Sequence, residues 1–257
     1  MKRDERRQMI MDRLIQRRAV DVDDLASRFD VSRMTIHRDL DDLEQAGLLR
    51  KVRGGATIEA GNQFESDFRI RAMQDGDAKA RMANAALEMI EPGMSVMIND
   101  GSMAAHLGAR LTEKAPLTVI TNNGEVIETL REVTRVQLIA LGGVFSAKFN
   151  GYFGVVTEAA VARLRADIAF ISTPAVSGLQ AFHMNAEVVR TKRAMMAAAE
   201  RSVLLVNHQR FRRSALHLMA DLDEFSSVIT DAPPAPDLEA SMQRAGIPLL
   251  IAENVDG

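Results

Sequence analysis

The chain has 257 residues, a formal charge of −3, 47% hydrophobic and 26% charged residues, one tyrosine, no tryptophan and no cysteine. At roughly 100–200 residues per domain, it holds one large domain or two modest ones. That balance excludes a disordered, collagen-like or disulfide-stapled chain, and the missing thiols exclude cysteine catalysis, thiolate zinc sites and iron–sulfur ligation.

The first 20 residues contain no apolar run of signal-peptide length, and nowhere is there an uncharged stretch of about 18 apolar residues. The expected setting is cytoplasmic, with no membrane partner. Charge is unevenly divided. Residues 1–58 carry 13 Lys and Arg against 11 Asp and Glu, giving +2, and residues 59–257 carry 19 against 24, giving −5. Local potential rather than net charge decides whether an anionic partner binds, so a small basic face on an acidic body is compatible with nucleic acid.

In chain order, Met9, Ile10, Leu14 and Ile15 recur about one helical turn apart and predict an amphipathic helix over 4–18. Asp21 reads as an N-cap with Asp24 three residues on, opening a short helix that buries Leu25, Ala26 and Phe29. Ser32 caps a third helix with Ile36, Leu40 and Leu43 as its buried stripe and Gly47 as its C′ residue. Two short helices joined through Phe29-Asp30-Val31-Ser32 form a helix-turn-helix layout. Residues 48–58 then read as two short strands about a Gly54-Gly55 turn, a wing with Arg50, Lys51 and Arg53 near its tip. Cations there meet the phosphates of a neighbouring groove. On the third helix, Ser32, Arg33, Met34, Thr35, His37 and Arg38 are the candidate DNA-facing residues. A helical domain with an ordinary solvated surface is the bland alternative. The tight two-helix unit, the polar helix and the basic hairpin together favour double-stranded operator DNA.

The run VSRMTIHRDLDDLEQAGLLRKVRGGA resembles the signature of DeoR-type bacterial transcription regulators. Val31, Ser32, Thr35, Ile36, Arg38, Asp39, Leu40, Leu43, Glu44, Gly47, Gly54, Gly55 and Ala56 match its positions, and His37 stands where arginine is more usual.

Residues 59–66 are polar and read as a linker, followed by a helical stretch over 66–90 with a break near Asp75-Gly76. The expected organisation is a winged helix-turn-helix domain over 1–58, a linker and start of a connecting helix over 59–75, and an α/β domain over 76–257. From Pro92-Gly93 onward, short apolar strands alternate with helices, which predicts a mostly parallel sheet covered on both faces. Ligands of such sheets sit beyond the carboxyl ends of the strands. Four predicted strand ends are polar: Asn99-Asp100-Gly101-Ser102-Met103, Thr121-Asn122-Asn123-Gly124, Leu141-Gly142-Gly143 with Lys148 after it, and Asn207-His208-Gln209-Arg210. Small residues opening a helix let backbone N–H groups approach an anion. Each end also has an ordinary reading as turn and N-cap chemistry.

The resemblance extends through this segment. In DeoR-type regulators it implies a sugar-phosphate-sensing domain related in fold to ribose-5-phosphate isomerase. Its counterparts here are residues 99–103, Thr121-Asn122, Leu141-Gly142-Gly143, Glu187 with Lys192-Arg193-Ala194-Met195, residues 207–211, and Ile229-Thr230-Asp231. Asn99 replaces an aspartate, Met103 a hydroxyl residue, and Asn207 and Arg210 an aspartate and a lysine. The expected effector, a sugar phosphate or related polyol, therefore falls to Asp100, Gly101, Ser102, Met103, Asn122, Gly142, Gly143, Lys148, Lys192, Asn207 and Arg210.

The histidines lack metal-ligand spacing, and no metal, cofactor or catalytic residue is nominated. The expected function is a repressor of a carbohydrate-catabolism operon, acting as a homo-oligomer (dimer or tetramer). A sugar-phosphate isomerase-like enzyme fused to a DNA-binding module is the alternative, because Asp100, Glu187 and Lys192 could serve acid–base chemistry. Fold alone does not decide between them.

Overall fold

Residues 2–45, 48–57 and 68–253 are described in the computed structural model, in which the chain divides into two units, residues 1–74 and 75–257. Gly47, Ile58, the 59–66 linker and the Ser66 helix start lie outside the described residues.

In the first unit, α1 (Arg3–Arg17) turns Ile10, Met11 and Leu14 inward. Met9 is 41% exposed and falls outside this stripe, a correction to the expected apolar pattern. The strand β1 (Ala19–Asp21) follows and was not legible in the sequence. At the start of α2 (Val22–Phe29), the Asp21 carboxylate accepts from the N–H groups of Asp23 (2.8 Å) and Asp24 (3.1 Å), meeting orphan donors of the first turn. Asp30 adopts a left-handed conformation (φ 51°) that ends α2 and reverses the chain into α3 (Arg33–Gln45). There the Ser32 hydroxyl accepts from Thr35 N at 3.2 Å. The buried side of α3 is Ile36, Leu40 and Leu43, as expected, and also Asp39.

Asp39 explains how a helix so rich in acids is fixed to α1. Arg6 Nε lies 2.5 Å and Nη2 3.2 Å from its two carboxylate oxygens, with both side chains nearly buried. Arg3 and Arg7 pair with Asp42 one turn on.

The wing consists of β2 (Arg50–Val52) and β3 (Gly55–Thr57), antiparallel, with β1 on the far side of β3. The two glycines have separate jobs. Gly54 takes the turn at φ 81°, whereas Gly55 belongs to β3 and lies so close to β1 that a Cβ would fall 2.0 Å from Val20 O. The helix α4 (Phe68–Met73) contributes Ile70 to the unit's core beside Leu25, Leu40 and Leu49.

The second unit opens with α5 (Gly76–Leu87). The expected 66–90 helix is thus two helices, divided where Asp75 is left-handed (φ 55°). Next come β4 (Ser95–Ile98), α6 (Ser102–Gly108), β5 (Leu117–Thr121), α7 (Gly124–Leu130) and β6 (Val136–Ala140). The stretch expected as a glycine-rich loop holds a hairpin, β7 (Val144–Ser146) with β8 (Gly151–Phe153). Beyond it lie α8 (Val155–Val161), β9 (Ala166–Ser172), β10 (Ala175–Ser177), β11 (Gln180–His183), α9 (Ala186–Ala197) and β12 (Ala199–Leu205). The unit ends with β13 (His217–Asp221), β14 (Ser227–Thr230), α10 (Pro236–Arg244) and β15 (Leu249–Ile251). Seven parallel strands form the main sheet in the order β15-β14-β12-β9-β4-β5-β6, and β10, β11 and β13 form a small antiparallel sheet. The inner strands are apolar almost throughout, as expected for strands without a solvent face: Val96, Met97, Ile98, Ile168, Ala169, Phe170 and Ile171 are each 0% exposed.

Strand order fixes where a ligand can go. From β4 the chain steps outward to β5 and β6, then returns to β9 on the other side of β4. The gap beyond the carboxyl ends of β4 and β9 is therefore the topological switch point, the usual crevice of an open α/β sheet.

Candidate functional site

The DNA-facing candidates lie on α3 and on the wing. On α3, Met34 and Arg38 lie across the helix from the buried stripe and are exposed, Met34 by 62%; Ser32 and Arg33 are exposed at the helix start, and Thr35 and His37 are half-buried. Arg50 and Arg53 are exposed on the wing and Lys51 is half-buried. The cations differ in their partners. Arg33 pairs with Asp23 at 2.6 Å on the surface, where screening makes the contact weak. Lys51 Nζ sits 2.5 Å from Asp41, and its N–H donates to Glu44 (2.7 Å), so this lysine ties the wing to the end of α3. Arg38 and Arg53 have no acidic partner among the described residues.

In the second unit, the switch point brings together residues that are far apart in sequence. Asp100 follows β4, Ser172 ends β9, and Lys192 comes from the middle of α9. Lys192 Nζ donates to Ser172 O at 2.8 Å and lies 3.6 Å from Asp100 Oδ1, with the two side chains 2% and 1% exposed. A buried charge needs both a counter-charge and hydrogen bonds, and Lys192 has both. Asn99 stitches β4 to β9, accepting from Ser172 N (3.1 Å) through Oδ1. Asn123 joins three segments. Its Oδ1 caps α7 at Glu125 N, and its Nδ2 donates to the carbonyls of Asn99 and Gly101, each at 3.1 Å. Both asparagines lie in strand ends that the sequence marks as polar, but neither they nor Ser172 are among the expected effector contacts. Ser172 is a polar strand end like the others, closing β9.

The remaining nominated positions divide into those near this cluster and those with structural duties elsewhere. Gly101 (φ 108°) turns the chain into α6, where Ser102 is buried and Met103 half-buried. With only seven residues, α6 offers little aligned dipole, so the expected pull on an anion at its first turn is weak. Asn122 is buried at the end of β5, against the β8 residue Tyr152. Gly142 and Gly143 are exposed where β6 turns into β7, against α8. Gly142 O accepts from Thr157 Oγ1 (2.6 Å), and a Cβ on Gly143 would lie 2.3 Å from that hydroxyl. Lys148 Nζ lies 5.7 Å from the ring centre of Phe149. Asn207 uses its Oδ1 on Gln209 N (2.9 Å), and Arg210 closes the same single turn. Beside them is a pair that sequence reasoning missed: His208 Nδ1 lies 2.7 Å from Asp231 Oδ2, across the ends of β12 and β14.

Comparison with known proteins identifies both units. Residues 6–60 match the DeoR-like helix-turn-helix domain, and residues 74–232 match the DeoR C terminal sensor domain. The L-fucose operon activator of Haemophilus influenzae is 30% identical, over 88% of this chain and 91% of that protein. The glycerol-3-phosphate regulon repressor of Escherichia coli K12 is 28% identical, over 91% and 93%. Among solved structures, ribose 5-phosphate isomerase A from Methanocaldococcus jannaschii aligns with 54% of this chain and 55% of its own, at 20% identity and a TM-score of 0.38. With its helix-turn-helix matched at one end and its sensor domain over most of the remainder, the chain belongs to the DeoR family of DNA-binding transcriptional regulators.

Proposed function

We propose that this regulator represses a carbohydrate-catabolism operon and that a phosphorylated sugar or related polyol in the switch-point crevice controls its hold on operator DNA. The observation that carries the DNA half is the two-sided character of α3. Ile36 and Leu40 are fully buried on one side, Arg38 is exposed on the other, and the wing presents Arg50 and Arg53. A helix in the major groove reads base edges, and wing cations hold phosphates. One such helix covers a short half-site, so the working form is a homo-oligomer, dimer or tetramer, on paired half-sites about one helical turn apart. The sensor half is supported by the Asp100–Lys192 pair at the switch point, and by relatives named for the glycerol-3-phosphate and L-fucose systems. Asp100 and Lys192 hold the ligand, with Asn122 beside them.

An isomerase reading draws on the same buried pair. We favour sensing, because Lys192 is held on a backbone carbonyl and a carboxylate, an arrangement suited to orienting a polar ligand. Two assays test the proposal. Footprinting on DNA upstream of the coding sequence should show two protected half-sites, with protection shifted to higher protein concentration by Arg38→Ala. A turnover screen on aldose and ketose phosphates should show no product. Turnover without footprint would reverse the choice.

A further inference from the structure

Asn122 has an acceptor that the fold does not use. The residue is 0% exposed at the end of β5. Its Nδ2 donates to Tyr152 O and its backbone carbonyl accepts from Tyr152 N, each at 2.9 Å, so β8 fixes the amide from two sides. Flipping the amide would set its oxygen against the Tyr152 carbonyl, so the orientation is determined. Among the described residues, Oδ1 is left buried without a donor. Its neighbours do not share this condition. Asn123 uses both ends of its amide on four backbone groups, and Asn99 Oδ1 receives Ser172 N. A buried amide oxygen without a donor is costly to keep, and such a group calls for an explanation.

The surroundings say what kind of group would complete it. A Cβ on Gly151 would lie 3.0 Å from Asn122 O and 3.2 Å from Asp100 Cβ, so Asn122 and Asp100 back onto the same glycine. Both residues offer acceptors. The Asp100 carboxylate is balanced by Lys192 at 3.6 Å, which removes any need for a second cation. Against Asn122 Oδ1, a deprotonated phosphate or carboxylate would set an acceptor against an acceptor. Neighbouring hydroxyls bring donors.

Resting on the sensor reading above, we propose that Asn122 Oδ1 and Asp100 accept hydrogen bonds from hydroxyls of the effector, so that its polyol end fills the corner between β4 and β5 and any phosphate lies away from it. Asn122 is thus a specificity residue for hydroxylated ligands.

The test is calorimetry on the full chain with D-ribose 5-phosphate, D-fructose 1-phosphate, sn-glycerol 3-phosphate, sorbitol and inorganic phosphate, followed by monodeoxy analogues of whichever polyol compound binds. Asn122→Leu should weaken that compound at least tenfold while leaving operator affinity within twofold. One monodeoxy analogue should bind wild type at least tenfold more weakly than its parent and be indifferent to Asn122→Leu. If Asn122→Leu does not fold, the analogue series on wild type decides. Equal affinity for every monodeoxy analogue, or inorganic phosphate whose binding is lost with Asn122→Leu, overturns the assignment but not the sensor reading. Failure of every compound to bind wild type that still grips its operator overturns the sensor reading, and this inference with it.

Discussion

Replacing Asp39 with alanine should unfold the winged unit locally without touching the sensor domain. Asp39 is 2% exposed at its side chain and receives Arg6 through two nitrogens, at 2.5 and 3.2 Å. The Arg6 guanidinium, 9% exposed, has its pKa raised above the ordinary arginine value chiefly by that hydrogen bond, so it stays charged. Asp39→Ala strands this cation in the interior. Removing one partner of a buried pair costs about 3–5 kcal/mol. Arg7 adds little to the loss, because it keeps Asp42 as a partner. Small domains have only about 5–15 kcal/mol in total. The assay is amide hydrogen exchange on the full chain. Protection in α1 and α3 should fall by about 2–4 orders of magnitude, at about 1.4 kcal/mol per tenfold, while β4, β9 and β12 are unchanged. Replacing both partners, Arg6→Met with Asp39→Leu, should restore most of the protection, since an apolar pair carries no desolvation cost. Protection in Asp39→Ala within fourfold of wild type would refute the reasoning.

Arg38→Ala should weaken operator binding by about 1–3 kcal/mol if the side chain reaches a base, and Arg53→Ala should lower the slope of log affinity against log salt by about 1; both are read by fluorescence anisotropy across a salt series. Gly55→Ala should separate β1 from β3, because its Cβ would fall 2.0 Å from Val20 O, and the loss should appear as exchange of the wing amides and reduced operator affinity. In the sensor unit, burial and the nearby charges of Lys79 and Arg110 lower the pKa of His106 below its ordinary 6.5. The unfolded chain then takes up this proton first. His106 contributes no pH dependence above about 6.5, and stability falls as pH drops from there through the lowered folded value. Urea midpoints between pH 7.5 and 5 should show that fall in wild type and a smaller one in His106→Gln.

Local chemistry was legible in the sequence and long-range placement was not. Asp21 and Ser32 cap their helices because capping depends on atoms within three residues. Apolar strands such as Leu117–Thr121 announce themselves by composition. The three-residue β1, β7, β8 and β10 are too short for a period of two to register, and Gly142-Gly143 made the hairpin resemble a loop. Strand order depends on crossovers that no local pattern encodes, so the switch point could not be found in advance. Lys192 and Asp100 are 3.6 Å apart in space with α7, α8 and several strands between them in sequence, and only the sheet reveals that contact. The partners of Lys51 were hidden for the same reason: a basic residue reads as available until its acidic neighbour is placed.

The proposed regulation couples occupancy of the sensor unit to affinity for DNA, which requires the ligand to favour one arrangement of the regulator over another. It is tested most directly by anisotropy of labelled upstream DNA at fixed salt, titrated with the full chain alone and with each sugar phosphate at millimolar concentration. At least one compound should weaken operator binding tenfold or more, about 1.4 kcal/mol of coupling, with no effect on that scale from inorganic phosphate. Tight and specific DNA binding that no hydroxylated ligand alters, by a protein to which those ligands demonstrably bind, would contradict it.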